Sequence, residues 1–148
     1  MKTEYIDVKG KWGIVVCYDL MRRDVHEMRA LMEAVGMDNE SAEGYMRVSV
    51  YKKGENVEVG VDEALRMLLY HKNTGMCITN MDLKMSLVFI GEATSKDQWW
   101  DTIAHEILDH AKVAILDYYR VPLRGEDSAW LTGYLMRKVV QLIAPPCA

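Results

Sequence analysis

Apolar and polar residues along this chain fall into two alternating rhythms. Tyr5 to Val8 and Gly13 to Tyr18 (YIDV and GIVVCY) are rich in β-branched and aromatic residues, and the K-G-K-W between them has turn composition, so the two runs predict a β-hairpin. Asp24 stands where a helix cap belongs, with Val25, Met28, Leu31, Met32 and Val35 on one helical face and Gly36 placed to end it. Met46, Val48 and Val50, then Val57, Val59 and Val61, alternate like two strands around K-K-G-E-N and predict a short second hairpin, although Glu40 to Met46 equally fits the start of a helix. From Asp62, Ala64, Leu65, Leu68 and Leu69 follow a helical pattern that stops before Asn73-Thr74-Gly75. Two more apolar runs follow, Met76 to Thr79 and Met85 to Ile90.

After Gly91 comes the clearest helix start in the chain. Ser95 followed by Gln98 makes a capping box, and Trp99, Ile103 and Ala104 begin the buried face of a helix that runs to about Tyr119. Pro122 and Gly125 break it. Glu126 to about Ile143 predicts a last helix, with Ala129, Leu131, Leu135, Val139 and Leu142 as core contacts, before Pro145-Pro146 stops it. The elements together predict an α+β domain in which a small antiparallel or mixed sheet is packed by the Ser95 helix and the Glu126 helix. Trp99, Ile103, Ile107, Ala111 and Val113 to Ile115 should form the buried side of the first of these, with His105 and Asp109 at a cleft.

Composition narrows the classes. At 148 residues, 50% hydrophobic and 27% charged, the chain reads as a single domain spanning 1–148. A net charge of -4 with scattered Lys and Arg offers no basic field for a phosphate backbone, so nucleic acid is not expected as a partner. No segment resembles a signal peptide or reaches the roughly 20 apolar residues of a membrane helix, which leads to the expectation of a cytoplasmic protein without a membrane partner. Cys17, Cys77 and Cys147 are odd in number and widely spaced, as expected of reduced thiols. The eleven methionines read as adaptable core filler.

Candidate chemistry lies in Thr102 to Lys112, TIAHEILDHAK, which nearly spells H-E-x-x-H with Asp in place of the second His. In that motif two histidines one turn apart bind zinc and the intervening Glu activates water. At roughly 100° per residue, side chains four apart return to within about 40° of one another, whereas five apart diverge by about 140°. His105 and Asp109 have the first spacing, and His105 and His110 the second. A carboxylate binds zinc at about the same distance as imidazole, near 2.0 to 2.2 Å, so the expected ligands are His105 and Asp109 on a regular helix. His110 is the alternative, available only if a π-bulge intervenes. A carboxylate-rich site would be harder and could favour Mn or Mg. Glu126, which the Pro122-to-Gly125 turn allows to fold back, is the expected third ligand, with Asp127 as competitor; both carboxylates could instead complement the dipole of the last helix. The plain alternative for the whole stretch is a solvated helix face with weak intrahelical pairs such as Glu106–His110 or Asp109–Lys112.

Beyond this motif, N-T-G-M-C-I-T-N (Asn73 to Asn80), S-L-V-F-I-G (Ser86 to Gly91), A-T-S-K-D-Q-W-W-D-T-I-A-H-E (Ala93 to Glu106), D-Y-Y (Asp117 to Tyr119) and G-E-D-S-A-W-L-T-G-Y-L (Gly125 to Leu135) resemble small zincin-like proteins of phages, prophages and mobile elements of gut bacteria. The resemblance covers roughly the C-terminal half. It implies a minimal zincin-like domain of gluzincin type, with His105 as first ligand, Glu106 as general base and Glu126 as the downstream acidic position. H-E-I-L-D-H departs from the family pattern: it reads like H-E-I-D-H with one residue inserted.

Two functions follow as expectations. One is a zinc-dependent hydrolase, a metallopeptidase in which Glu106 passes a proton from water to the leaving amine while a peptide lies along the Ser86–Ile90 strand or the Met76–Thr79 strand. The other is an inactive zincin-fold protein that binds a host or element-encoded protein as a regulator, motivated by the slipped histidine and the small size of the chain.

Overall fold

The computed structural model describes residues 1–36, 47–52, 55–70 and 74–143. The alternative helix at Glu40 to Met46, Cys147 and the Pro145-Pro146 stop lie outside the described residues. The chain is α+β. Strand β1 (Lys2–Val8) turns into β2 (Trp12–Tyr18), α1 (Val25–Ala34) follows a short 3-10 turn, and β3 (Arg47–Lys52) and β4 (Glu55–Gly60) form a separate antiparallel pair ahead of α2 (Val61–Leu69). Strands β5 (Gly75–Asn80) and β6 (Met85–Ile90) complete the main sheet.

That sheet has the order β1-β2-β6-β5. The two predicted hairpins pair as expected, β1 with β2 and β3 with β4, both antiparallel; β5 and β6, expected only as apolar runs, pair antiparallel as well, and the halves of the main sheet join through a parallel β2–β6 contact. Between β1 and β2, Lys9 and Gly10 both take positive φ, and Lys11 N–H donates to the Val8 carbonyl at 2.9 Å, which is the hairpin turn that matches strand twist. Strands β2 and β6 are central and buried on both faces. Ile14, Val16, Val88 and Ile90 face one side, and Cys17, Leu87 and Phe89 the other, as the two-residue period of a strand requires.

The first face is covered by α3 (Lys96–Ala104), a π-helical segment (His105–Ala111), α4 (Lys112–Tyr118) and α5 (Glu126–Leu142). The second is covered by Met28 and Met32 of α1 and by Ala64, Leu65 and Leu68 of α2, so the sheet is a middle layer. The methionines at 28, 32, 67 and 76 are buried, as their reading as core filler expects, whereas Met21 and Met81 are exposed. On α5, Leu131, Leu135 and Val139 are buried as predicted; Ala129 and Leu142 are exposed, and Ser128 takes the place given to Ala129. Among the described residues no helix is long and apolar enough to cross a membrane.

Candidate metal centre

The long helix over 96–118 is continuous but not regular. Ser95 Oγ accepts from Gln98 N–H at 3.1 Å, and Gln98 Oε1 accepts from Thr94 N–H at 2.7 Å, one residue earlier than an ordinary capping box. Trp99, Ile103, Ile107, Ala111 and Ile115 are all buried against the sheet, every fourth residue. In an α-helix a strict step of four drifts by about 40° each time, so this row would wander by about 160° and leave the sheet. The widened turn takes up the drift. Lys112 N–H donates to the Ile107 carbonyl, an i to i+5 bond, and His105–Ala111 is π-helical.

The regular helix expected from the sequence is therefore corrected. The reason is packing: a lost regular hydrogen bond costs about 1 kcal/mol, while keeping an Ile or Leu side chain buried is worth about 1.5–3 kcal/mol. Metal binding is not needed to offset the bulge.

The wider turn brings round residues five apart. His105 Nε2 and His110 Nε2 lie 3.1 Å from one another, with the rings edge to face at a centroid distance of 4.8 Å. Asp109, four residues from His105, does not join this pair as a ligand; its Oδ2 lies 3.1 Å from His105 Nδ1. A carboxylate accepting from Nδ1–H fixes the tautomer that leaves the Nε2 lone pair free. His105, Glu106 and His110 form a group that could hold a metal ion, with one ligand atom of each within 4.8 Å of the others. Glu126, at the exposed first turn of α5, is outside the converging group. The set His105, Asp109 and Glu126 is thus not the set that the fold brings together. The weak pairs Glu106–His110 and Asp109–Lys112 are likewise replaced by His105–Asp109.

Glu106 packs beside Gly75 of β5. It is 6% exposed and, among the described residues, accepts no hydrogen bond. Burial, aided by the negative charge of Asp109, pushes its carboxyl up to about 7. Burial, aided by the neighbouring His105, holds His110 below the usual histidine range, so its ring favours the neutral form that ligates metal. The space for Glu106 is made by the edge strand: a Cβ on Gly75 would stand 2.7 Å from Thr102 Cγ2 and 2.9 Å from Glu106 Cγ. Cys77, two residues along β5, has its thiol pushed up to about 12, by burial first and Glu106 second, and lies outside the converging group.

The larger cavity, about 560 Å³ and walled by Trp12, Tyr119, Trp130, Lys9 and Lys11 among others, includes none of these three groups. A smaller one, about 310 Å³, has His110 and Asp109 in its wall. Of the two, the second is the one that borders the converging group, through His110.

The sequence places His105 and Glu106 on the long helix, with His110 as the bulged alternative; of His105 and Asp109, the pair expected at a cleft, Asp109 lines the smaller cavity and His105 does not. Sequence reading missed Gly75, whose signal was a glycine opening an apolar strand run, a sign of close backbone approach. No protein-family model matches the chain, and neither does any curated protein or solved structure.

Proposed function

We propose that the chain is a zinc-dependent hydrolase of peptide bonds, a variant of the zincin type, in which His105 and His110 hold the ion and Glu106 handles the proton. The observation that carries this reading is the 3.1 Å approach of the two Nε2 atoms beside a buried carboxyl. Two nitrogens at the usual zinc distance of about 2.1 Å can stand at most about 4.2 Å apart, so the spacing of this pair is within the reach of one ion. Imidazole and carboxylate donors suit zinc and also other first-row ions such as Mn.

When bound, the ion supplies Lewis-acid polarisation of the substrate carbonyl and acidifies water. The rest belongs to the chain. Asp109 orients His105 through Nδ1. Glu106, with its carboxyl at about 7, takes a proton from the attacking water and returns it to the departing amine as the C–N bond breaks. Strand β5 lies at the edge of the sheet and against the π turn, so its outer backbone groups are the ones available to an extended peptide; β6, the other strand considered, is central.

The regulator reading drew on the slipped histidine. The π turn gives that displacement a use in the ligand pair, which favours the enzyme. Peptide cleavage by zinc-loaded protein, lost in Glu106→Gln while zinc is retained, is the expected result. Loss of zinc together with activity in that variant would make Glu106 a ligand, and unchanged cleavage would remove the reading.

A further inference from the structure

The smaller cavity beside the imidazole pair has a composition that the hydrolase reading does not use. Its walls come from the π turn and α4 on one side and the loop before α5 on the other, with Val113, Ala114, Val121 and Leu123 as the apolar lining. Its charged members are carboxylates, Asp109 and Asp117, and no Lys or Arg lines it. At about 310 Å³ it lies at the small end of the roughly 300–1,000 Å³ range of ligand sites, which is room for a long side chain.

The two carboxylates differ in what they have left to give. Asp109 is already engaged by His105 Nδ1. Asp117 is exposed and, among the described residues, has no ion-pair or side-chain hydrogen-bond partner. An acidic side chain entering here would meet two like charges. A purely apolar one would fill the walls and make no contact of its own with the exposed Asp117 carboxylate. A side chain with an aliphatic stem and a cationic head satisfies both parts, the stem against Val113, Val121 and Leu123 and the head at the rim.

We propose that this cavity is a substrate subsite for the side chain of a lysine or arginine, with Asp117 as the specificity-determining residue. His110 shares the wall, so a peptide seated there has its backbone beside the ligand pair. The proposal rests on the hydrolase reading for the nature of the substrate, and the experiment separates the two.

Labelled decapeptides of otherwise constant sequence, with Lys, Arg, norleucine or Glu walked through the positions, are offered to the full chain in zinc-containing buffer. Cleavage is followed with the unaltered protein and binding by fluorescence anisotropy with Glu106→Gln. At one position Lys and Arg should bind roughly tenfold more tightly than norleucine, with Glu weakest, and Asp117→Asn should erase the difference. Asp117→Lys should reverse it in favour of Glu. Near-UV circular dichroism confirms that the variants fold, which the exposure of Asp117 favours. Norleucine binding as well as Lys, a preference that survives Asp117→Asn, or binding of none of the peptides overturns the subsite. Selective binding without cleavage of any peptide leaves the subsite standing and removes the hydrolase reading; cleavage without basic preference does the reverse.

Discussion

His105 and His110 stand five residues apart on one helix and turn their Nε2 atoms to 3.1 Å, which only the π turn between them allows. The residue by which H-E-I-L-D-H exceeds an H-E-x-x-H spacing is taken up by the π turn, and the two rings still converge.

Deleting Leu108 tests that relationship. The stretch becomes H-E-I-D-H, the turn can close as an ordinary α-helix, and the two rings should again face each other at a spacing of four. Zinc affinity within about tenfold of the unaltered protein is expected, measured by competition with a chromophoric chelator. Loss of binding in a folded deletion variant would mean that the wide turn is not a neutral substitute for the regular one.

Asp109 lies against His105 Nδ1 and outside the converging group of His105, Glu106 and His110. Asp109→Ala should weaken zinc binding by roughly 10- to 100-fold, the usual effect of removing an orienting partner, without abolishing it. Asp109→His, which would complete the motif on a regular helix, should bring no gain. A variant Asp109→His with higher affinity than the parent would restore Asp109 to the ligand place.

How far this was legible in the sequence differs by element. The β1–β2 turn, strands β5 and β6 and the Ser95 cap announce themselves through turn chemistry and capping, which are local. The side of the sheet on which α1 and α2 pack was not legible, because amphipathicity marks a buried face and not the surface it meets. The parallel β2–β6 contact is equally remote from local pattern. For the site, the row Trp99, Ile103, Ile107, Ala111 and Ile115 held the signal for the π turn: apolar residues spaced strictly by four cannot stay on one side of an α-helix for that long. Reading only His105 to His110, where both spacings were present, hid it.

Glu106 should make the metal-free protein pH-sensitive. Its folded-state pKa is raised to about 7 from the ordinary 4.5, so the stability it contributes is complete below about pH 4.5 and is lost as pH rises through 7. The loss is on the order of 3 kcal/mol. In chelator, Glu106→Gln should therefore match the parent in urea midpoint near pH 4.5 and exceed it at pH 8. A parent as stable as the variant at pH 8 would show that the carboxyl is not held in an apolar setting.

Gly75 should tolerate no side chain. A Cβ at 2.7 Å from Thr102 Cγ2 and 2.9 Å from Glu106 Cγ forces the edge strand off the helix. Gly75→Ala is expected to cost about 1–3 kcal/mol in thermal unfolding, with Thr102→Ser recovering part of it by removing the nearer methyl. Additive losses in the double variant would place the strain elsewhere.

The central claim is that His105 and His110 jointly hold one divalent ion. It is tested most directly by metal stoichiometry after zinc loading and desalting, read by mass spectrometry of the native chain. One ion per chain is expected for the parent and none for His105→Ala or His110→Ala, with Asp109→Ala retaining its ion at saturating zinc. A parent without metal, or a His110→Ala variant that keeps a full equivalent, would contradict the account.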